Sequence, residues 1–232
     1  MRSTSSAFDL KSPYACIPLL TANVHACLDD SFVDNFNLFR DVTFRTQVQS
    51  SELAELRKLH TEWFPVAYNE EFYTAVERGD NVLTVLVDCV GGGVVGAATV
   101  AIRRRERQYN PGEELVREIC GMDPETTNIA YILTLGVVDE LRGKGLGRQI
   151  LEKILSEIPK IDPECQLVML HVIEYNRKAL RLYTQMNFTE YKKEPNFYFL
   201  GEESYDGILF YKRIGPPNRG FFHWWNNKTL CM

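Results

Sequence analysis

A glycine-rich turn, Arg142-Gly-Lys-Gly-Leu-Gly147, is the stretch of this sequence best suited to bind a charged ligand. Its three glycines let the backbone turn several N–H groups toward one point, and a helix that starts there favours an anion. The phosphate-loop pattern is not met, because Arg148 and Gln149 stand where lysine and serine or threonine are required. The dinucleotide pattern G-x-G-x-x-G is not met either. The turn therefore predicts a phosphate site of another kind.

Two predicted elements must position this turn. The segment Tyr131–Val138 is apolar and rich in β-forming residues, which predicts a buried strand. After the turn, apolar residues recur at helical spacing, at Leu146, Ile150, Leu151, Ile154, Leu155 and Ile158. A buried strand thus leads through the glycines into an amphipathic helix. The alternative, an ordinary turn whose glycines serve only tight packing, stays open on this pattern alone.

The remaining hydrophobic patterns predict the element order β-α-α-β-β-β-α-β-α-β-β. Asn69 and Gly79 are expected to begin and end the second helix, and Gly91-Gly-Gly93 is expected to close a hairpin. Pro195 and Gly201 are expected to interrupt the strands near the end. This order indicates an α/β (α+β) fold, with a mixed, twisted seven-stranded sheet and helices on both faces.

Composition and charge divide the chain and exclude some functions. Residues 1–40 lack a clear period and predict a flexible N-terminal extension, 41–215 form the domain, and 216–232 form an aromatic C-terminal tail. The net charge of −5 argues against nucleic acid as a partner. The six cysteines contain no C-x-x-C pair and the four histidines are far apart, so no metal is expected. No apolar run approaches the roughly 18 residues of a membrane span.

Two motifs resemble the GNAT acetyltransferases. Arg142-x-x-Gly145-x-Gly147 is similar to their acetyl-CoA pyrophosphate loop, Q/R-x-x-G-x-G/A, and Asn176-x-x-Ala179-Leu-Arg-Leu-Tyr183 to the element whose Asn and Tyr face CoA. The resemblance implies the GNAT acyl-CoA N-acyltransferase fold, acetyl-CoA as co-substrate and no metal. It assigns CoA binding to Leu135, Gly136, Val137, Arg142, Gly143, Lys144, Gly145, Leu146, Gly147, Arg148, Asn176 and Tyr183.

Finer motifs narrow the family. Phe64-Pro-Val-Ala-Tyr68, the strand from Ala130 to Val138, and His171-Val-x-x-x-Asn176 resemble N-terminal protein acetyltransferases of the NatF type, with the NatE type as near neighbour. A long loop after the third strand, Gly215-Pro-Pro217 and the aromatic tail also match the NatF type. The resemblance implies acetyl transfer from acetyl-CoA to the α-amine of protein N-termini, with Met first and an apolar second residue.

The resemblance also implies the roles of individual residues. Tyr131 and His171 are the expected catalytic pair, acting through an ordered water, with histidine as the base. A backbone N–H near Leu135 is the expected oxyanion donor if a β-bulge turns it inward. Alanine at 67 and phenylalanine at 197 depart from the NatF pattern of glutamate and tyrosine. The substrate's first residues are expected to contact Phe64, Pro65, Tyr68, Leu133, Phe197 and Tyr198.

Two other functions remain as alternatives. One is acetylation of lysine side chains, including those of histones, and the other is a catalytically silent acyl-CoA-binding module. For location, the tail Phe221-Phe-His-Trp-Trp225 predicts contact with a membrane surface, because aromatic rings favour the membrane interface. A monomer bound peripherally to the cytosolic face of the Golgi or plasma membrane is expected, and otherwise a cytoplasmic enzyme.

Overall fold

The computed structural model describes residues 28, 30–64, 66–103, 113–118 and 127–215. Its centre is one mixed sheet with the strand order β1-β2-β3-β4-β5-β7-β6, in which only β4 and β5 run parallel. This confirms the predicted seven-stranded sheet. The strands are β1 Val42–Arg45, β2 Val82–Cys89, β3 Val94–Arg103, β4 Asn128–Val137, β5 Cys165–Ile173, β6 Thr189–Leu200 and β7 Glu203–Arg213.

The helices lie on both faces of this sheet. A Cβ added to Gly136 in β4 would meet Trp63 of α2, whereas one added to Gly96, paired with Val137, would meet Ile150 of α5. Because successive residues of a strand point to opposite faces, α2 and α5 cover opposite faces of the sheet. The helices are α1 Asp30–Asn35, α2 Leu53–Trp63, α3 Glu70–Arg78, α4 Glu113–Glu118, α5 Leu146–Ile161 and α6 Arg177–Gln185.

Local sequence explains the ends of these elements. The Asn69 side chain accepts a hydrogen bond from the backbone of Phe72 at 2.9 Å, and Gly79 ends α3 in the left-handed conformation at φ +66°, as predicted. Of the apolar stripe predicted for α5, Leu146, Ile150, Leu151, Ile154 and Ile158 are buried, and Leu155 is partly buried. No helix in the described residues is both long enough and apolar enough to cross a bilayer.

The structure departs from the sequence-based expectations in three places. The short helices α1 and α4 lie in segments predicted to contain no regular element. Pro195 does not interrupt β6, because the pairing with β7 shifts register between Glu194 and Tyr198, and a bulge needs no ladder hydrogen bond from proline. Gly201, at φ +64°, lies between β6 and β7 as expected. The domain boundaries at 40 and 215 stay predictions.

Candidate active site

Two neighbouring parallel strands separate at the centre of the sheet. The pairing of β4 with β5 runs from Asn128 to Tyr131 and, in the described part of the chain, ends there. On the other edge of β4, Val100 pairs with Ile132 and Thr99 with Thr134, so Leu133 is the extra residue of a β-bulge. The bulge thus lies two residues before Leu135, the expected oxyanion donor. Beyond Tyr131 the backbone of β4 faces a cleft on its β5 side.

A cavity of about 470 Å³ continues this cleft toward the glycine-rich turn. It is bounded by the end of β4, by the turn and by α6. The predicted CoA-binding residues that line it are Leu135, Gly136, Val137, Arg142, Gly143, Gly145, Gly147, Arg148, Asn176 and Tyr183, and Phe64 from the predicted substrate contacts lines it too. Most of the residues predicted to bind CoA therefore line the same cavity.

The glycine-rich turn has the conformation expected of an anion site. Gly143 and Gly145 have φ values of +80° and +89°, which L-residues with side chains rarely adopt. Helix α5 begins directly after Gly145, whose carbonyl accepts hydrogen bonds from the N–H groups of Arg148 and Gln149. The first N–H groups of a helix have no partner within it and so are available to a ligand.

Lys144 and Leu146 are the two predicted CoA-binding residues that do not line the cavity. Leu146 is buried in the core beneath α5. The Lys144 ammonium donates a hydrogen bond to the carbonyl of Val33 in α1 at 2.6 Å, so it is directed toward the N-terminal segment instead. Arg142 is also held by the protein, through a 3.0 Å hydrogen bond to the Val137 carbonyl and an ion pair with Asp139.

The predicted catalytic pair is in direct contact. Tyr131 pairs with Met169 across the parallel strands, so His171 lies two residues further along β5 on the same face. The Tyr131 hydroxyl and His171 Nδ1 are 2.5 Å apart, within hydrogen-bonding distance. Both residues are buried, with 3% and 2% of their surface exposed. They meet where the two strands separate, although neither side chain lines the cavity itself.

Two residues of β6 enclose His171 from the other side. A carboxylate oxygen of Glu194 lies 3.2 Å from Nε2, and the ring of Phe197 stacks on the imidazole. Burial lowers the pKa of His171, and the hydrogen bond and charge of Glu194 partly oppose that shift. The nearby Lys192 ammonium lowers the pKa of His171 further. Sequence reasoning did not find Glu194, because 23 residues separate it from His171.

The predicted substrate wall divides into separate groups. Tyr68 packs with Phe64 around the fully buried His60 of α2. Tyr198 is fully buried in a small cluster with Ile173, against which Phe197 packs. Leu133 is 1% exposed at the bulge. Of the predicted wall, only Phe64 lines the cavity, and Pro65 lies outside the described residues.

Comparison with known proteins decides the family. The acetyltransferase (GNAT) family matches residues 53–188, more than half of the chain. The chain belongs to the GNAT acetyltransferases. It is 26% identical over 170 residues to N-alpha-acetyltransferase 60 of Xenopus tropicalis, covering 72% of this chain and 69% of that one. It is also 24% identical over 192 residues to Arabidopsis thaliana histone acetyltransferase MCC1, covering 79% and 75%.

Solved structures agree with this assignment. The crystal structure of Arabidopsis thaliana NAA60 in complex with acetyl-CoA superposes with a TM-score of 0.65 at 27% identity, covering 75% of this chain and 98% of that one. The structure of Arabidopsis thaliana Naa50 in complex with the bisubstrate analogue CoA-Ac-MVNAL superposes with a TM-score of 0.57 at 25% identity, covering 74% of this chain and 98% of that one. These findings confirm the GNAT fold and the resemblance to N-terminal acetyltransferases that the motifs indicated.

The lining of the cavity in this GNAT acetyltransferase suits a ligand that combines an uncharged part with phosphate groups. Its lining is mostly apolar and, among the described lining residues, contains no carboxylate. Four cations line it, namely Arg142, Arg148, Lys178 and Arg181. Acetyl-CoA combines an uncharged arm with a pyrophosphate and a further phosphate, which such a surface suits. The described residues contain no group of three or more His, Cys, Asp or Glu side chains suited to a metal.

Several residues of the cavity were missed by the sequence analysis. They are Trp63, Leu141, Lys178, Ala179, Arg181, Leu182, Gln185 and Met186. Most belong to α6 or its end, where the spacing of 178, 182 and 185 follows one helical face. That spacing was a usable signal. Trp63 carried none, because a tryptophan near the end of an amphipathic helix fits an ordinary core position equally well.

Proposed function

We propose that this protein is an N-alpha-acetyltransferase, which transfers the acetyl group of acetyl-CoA to the α-amine of protein N-termini. The observation that carries the proposal is the 2.5 Å contact between Tyr131 and His171 at the point where β4 and β5 separate. The similarity to N-alpha-acetyltransferase 60 and to a structure holding a peptide bisubstrate analogue supports the same activity. A silent binding module would have no need for this buried pair.

The reaction requires the transfer of one proton from the amine near neutral pH. The amine nitrogen forms a bond to the acetyl carbon, and the carbon–sulfur bond of the thioester breaks with its electron pair leaving on the CoA sulfur. The nitrogen gives one proton to the base. An α-amine has a reference pKa near 8, so about one in five is already neutral at pH 7.4, against about one lysine in a thousand. A modest base therefore suffices for an N-terminus.

The contacts around Tyr131 and His171 indicate how the two side chains share this task. Because Phe197 covers the imidazole face of His171, the Tyr131 hydroxyl is the polar group through which an incoming amine reaches the base. Tyr131 orients the amine or an ordered water and passes the proton on, and His171 accepts it at Nδ1. The backbone of β4 near the bulge at Leu133 offers N–H groups to the carbonyl oxygen.

The proposed substrate is an N-terminus with Met first and an apolar residue second. Phe64 at the cavity and the partly buried Phe197 beside the proposed catalytic pair offer apolar contacts on that side. Ala67 is exposed and uncharged, so it brings no carboxylate to this region. The peptide part of the analogue bound by Naa50, MVNAL, also begins with Met and an apolar residue.

A peptide library tests the activity and the preference together. Peptides that differ in their first two residues are incubated with acetyl-CoA, and peptides with a blocked N-terminus and an internal lysine serve as controls. The proposal expects transfer to Met-Leu and Met-Val starts above Ser or Ala starts, with little transfer to lysine. Faster transfer to the blocked lysine peptides would instead support the histone-acetyltransferase alternative, which the similarity to MCC1 keeps open.

The proposed location is the cytosolic face of the Golgi or plasma membrane, where the protein is a peripheral monomer. The support is the tail Phe221-Phe-His-Trp-Trp225, which lies outside the described residues, together with nearby cations that favour anionic lipid. Co-sedimentation with anionic vesicles tests it on the full chain. The wild type should pellet with the vesicles, and the variant Trp224→Ser, Trp225→Ser should stay in solution while remaining active. If neither chain pellets, a cytoplasmic enzyme remains; if both pellet equally, the tail is not what binds the vesicles.

A further inference from the structure

A row of charged side chains connects the buried base to the short helix α4. His171 Nε2 lies 3.2 Å from a carboxylate oxygen of Glu194, whose other oxygen lies 3.4 Å from the Lys192 ammonium. The same ammonium donates to the Glu114 carboxylate of α4 at 2.5 Å. The row therefore joins β5, β6 and the segment between β3 and β4, and its inner end is the catalytic imidazole.

We propose that Glu194 is a positioning residue, which fixes the proton of neutral His171 on Nε2 and so makes Nδ1 the basic atom that faces Tyr131. The inference rests on the proposed function only in that it takes Tyr131 and His171 as the catalytic pair. It assigns to Glu194 no contact with either substrate.

The hydrogen-bonding capacity of each group leads to this tautomer. An ionised carboxylate only accepts hydrogen bonds, so the nitrogen opposite Glu194 must carry the hydrogen. Burial raises the pKa of Glu194, but its contacts with His171 and Lys192 outweigh burial, and the net shift is downward. Glu194 is thus ionised at neutral pH. In neutral imidazole Nδ1 then carries a lone pair, 2.5 Å from the Tyr131 hydroxyl.

The local backbone explains how Glu194 reaches across the sheet. Strand β7 lies between β5 and β6, and there Glu194 pairs with Gly207. A Cβ added to Gly207 would lie 2.8 Å from Phe197, so the absence of a side chain makes room for the ring that covers His171. The register shift after Glu194 places Phe197 and the carboxylate on the same imidazole.

The charges around His171 determine whether each substitution should raise or lower its pKa. Among the described residues, the titratable groups that face the imidazole are Tyr131 from β4 and Glu194 and Lys192 from β6; Leu209, its neighbour on β7, is uncharged. Burial lowers the pKa of His171, Glu194 opposes that shift and Lys192 adds to it. Removing Glu194 should weaken the base, whereas removing the charge of Lys192 should strengthen it.

Enzyme kinetics on full-length variants test both expected changes in the basicity of His171. Glu194→Gln should lower kcat about tenfold with the KM for acetyl-CoA unchanged, because a general base contributes through proton transfer and not through binding. The acidic limb of its pH profile should move down by on the order of one pH unit. Lys192→Gln should move the same limb to higher pH.

Glu190→Gln is the matched control, since Glu190 is an exposed residue of the same strand. Shifts of equal sign in the Glu194 and Lys192 variants, or none in either, would overturn the proposal.

A second readout does not depend on catalysis. Nitrogen-15 NMR of labelled histidines, assigned with a His171→Asn variant, reports which ring nitrogen of His171 carries the hydrogen. The wild type should show the Nε2–H tautomer, and Glu194→Gln should show a mixture with a lower titration midpoint. Identical spectra would refute the role of Glu194. A wild-type chain that transfers no acetyl group would refute the proposed function instead, while the spectra would still decide the tautomer.

Discussion

The ring of Phe197 lies flat on the imidazole of His171, with ring centroids 3.8 Å apart and an angle of 10° between the planes. One face of the proposed base, His171, is thereby closed by an apolar surface. The sequence-based expectation gave Phe197 only a place in the substrate wall. In the structure it also supplies part of the burial that lowers the pKa of His171.

Replacing Phe197 by alanine should therefore change the pH dependence of the reaction. Water would reach the imidazole, and the pKa of His171 would rise toward its ordinary value. Since a base must be deprotonated to act, the acidic limb of kcat/KM should move to higher pH. Activity relative to wild type should be about two- to fourfold lower at pH 6 than at pH 8. Phe197→Tyr keeps the stacked ring and should leave the profile in place; an unshifted profile in Phe197→Ala would contradict the account.

The contact between Gly136 and Trp63 predicts a pair of coupled substitutions. A Cβ on Gly136 would overlap Cε3 of the Trp63 indole and lie 2.7 Å from its Cδ2. The indole is 3% exposed, so it has little room to withdraw. Gly136→Ala should lower the free energy of unfolding by about 1–3 kcal/mol, as overpacking does.

A double-mutant cycle separates that overlap from a general effect of alanine. Trp63→Leu removes the indole, so Gly136→Ala should be less destabilising in the Trp63→Leu background than in the wild type. The measurement is chemical denaturation of the wild type, both single variants and the double variant. A coupling energy near zero would show that the effect of Gly136→Ala does not arise from the Trp63 indole.

Two glycines of the turn at 142–147 should respond differently to alanine. Gly145 has φ +89°, where a side chain costs about 1–2 kcal/mol, whereas Gly147 lies within α5 and its Cβ would stay 3.6 Å from the nearest atom. Calorimetry should therefore find CoA binding retained in Gly147→Ala and weakened in Gly145→Ala. Gly145→Asp adds charge repulsion and should bind CoA more weakly still. Equal affinities in all three variants would show that the phosphates bind elsewhere.

The parts of the molecule that local sequence specifies were predicted well. The caps of α3 at Asn69 and Gly79, the stripe of α5 and the glycine-rich turn each depend on residues within a few positions of one another. Periodicity and turn chemistry act over that range. For the same reason the order of the strands and of the longer helices between them could be predicted from the sequence.

What the sequence analysis missed depends on residues that meet only through the sheet. Glu194 touches His171 across β7, and Lys192 touches Glu114 over a separation of 78 residues. No local pattern marks such pairs. The prediction that Pro195 interrupts its strand was wrong. The bulge that tolerates this proline depends on the pairing of β6 with β7, which no local pattern indicates. The family resemblance is what led to the pairing of Tyr131 with His171 in the sequence analysis. The structure places their side chains in contact, and their catalytic role stays a prediction.

The buried His60 should make the protein sensitive to acid. It lies among aromatic rings, with Nδ1 3.3 Å from the Tyr73 hydroxyl and with no hydrogen-bond partner for Nε2 among the described residues. Burial lowers the pKa of His60 to about 3. Above the ordinary pKa near 6.5 the histidine is neutral in both the folded and the unfolded chain, so it causes no pH dependence there.

Below that pH the two states differ. The unfolded chain takes up a proton that the folded chain does not accept until about pH 3, so stability falls as pH drops from about 6.5 toward 3. The loss is about 1.4 kcal/mol per pH unit, or on the order of 3 kcal/mol at pH 4.5. His60→Phe should remove this part of the acid sensitivity, while the contribution of His171 stays in both chains. Urea denaturation at pH 7 and pH 4.5 measures the difference, with Tyr73→Phe as the control that removes the hydroxyl contact but keeps the histidine. If His60→Phe loses as much stability between the two pH values as the wild type does, then His60 is protonated in the folded protein and its burial does not hold it neutral.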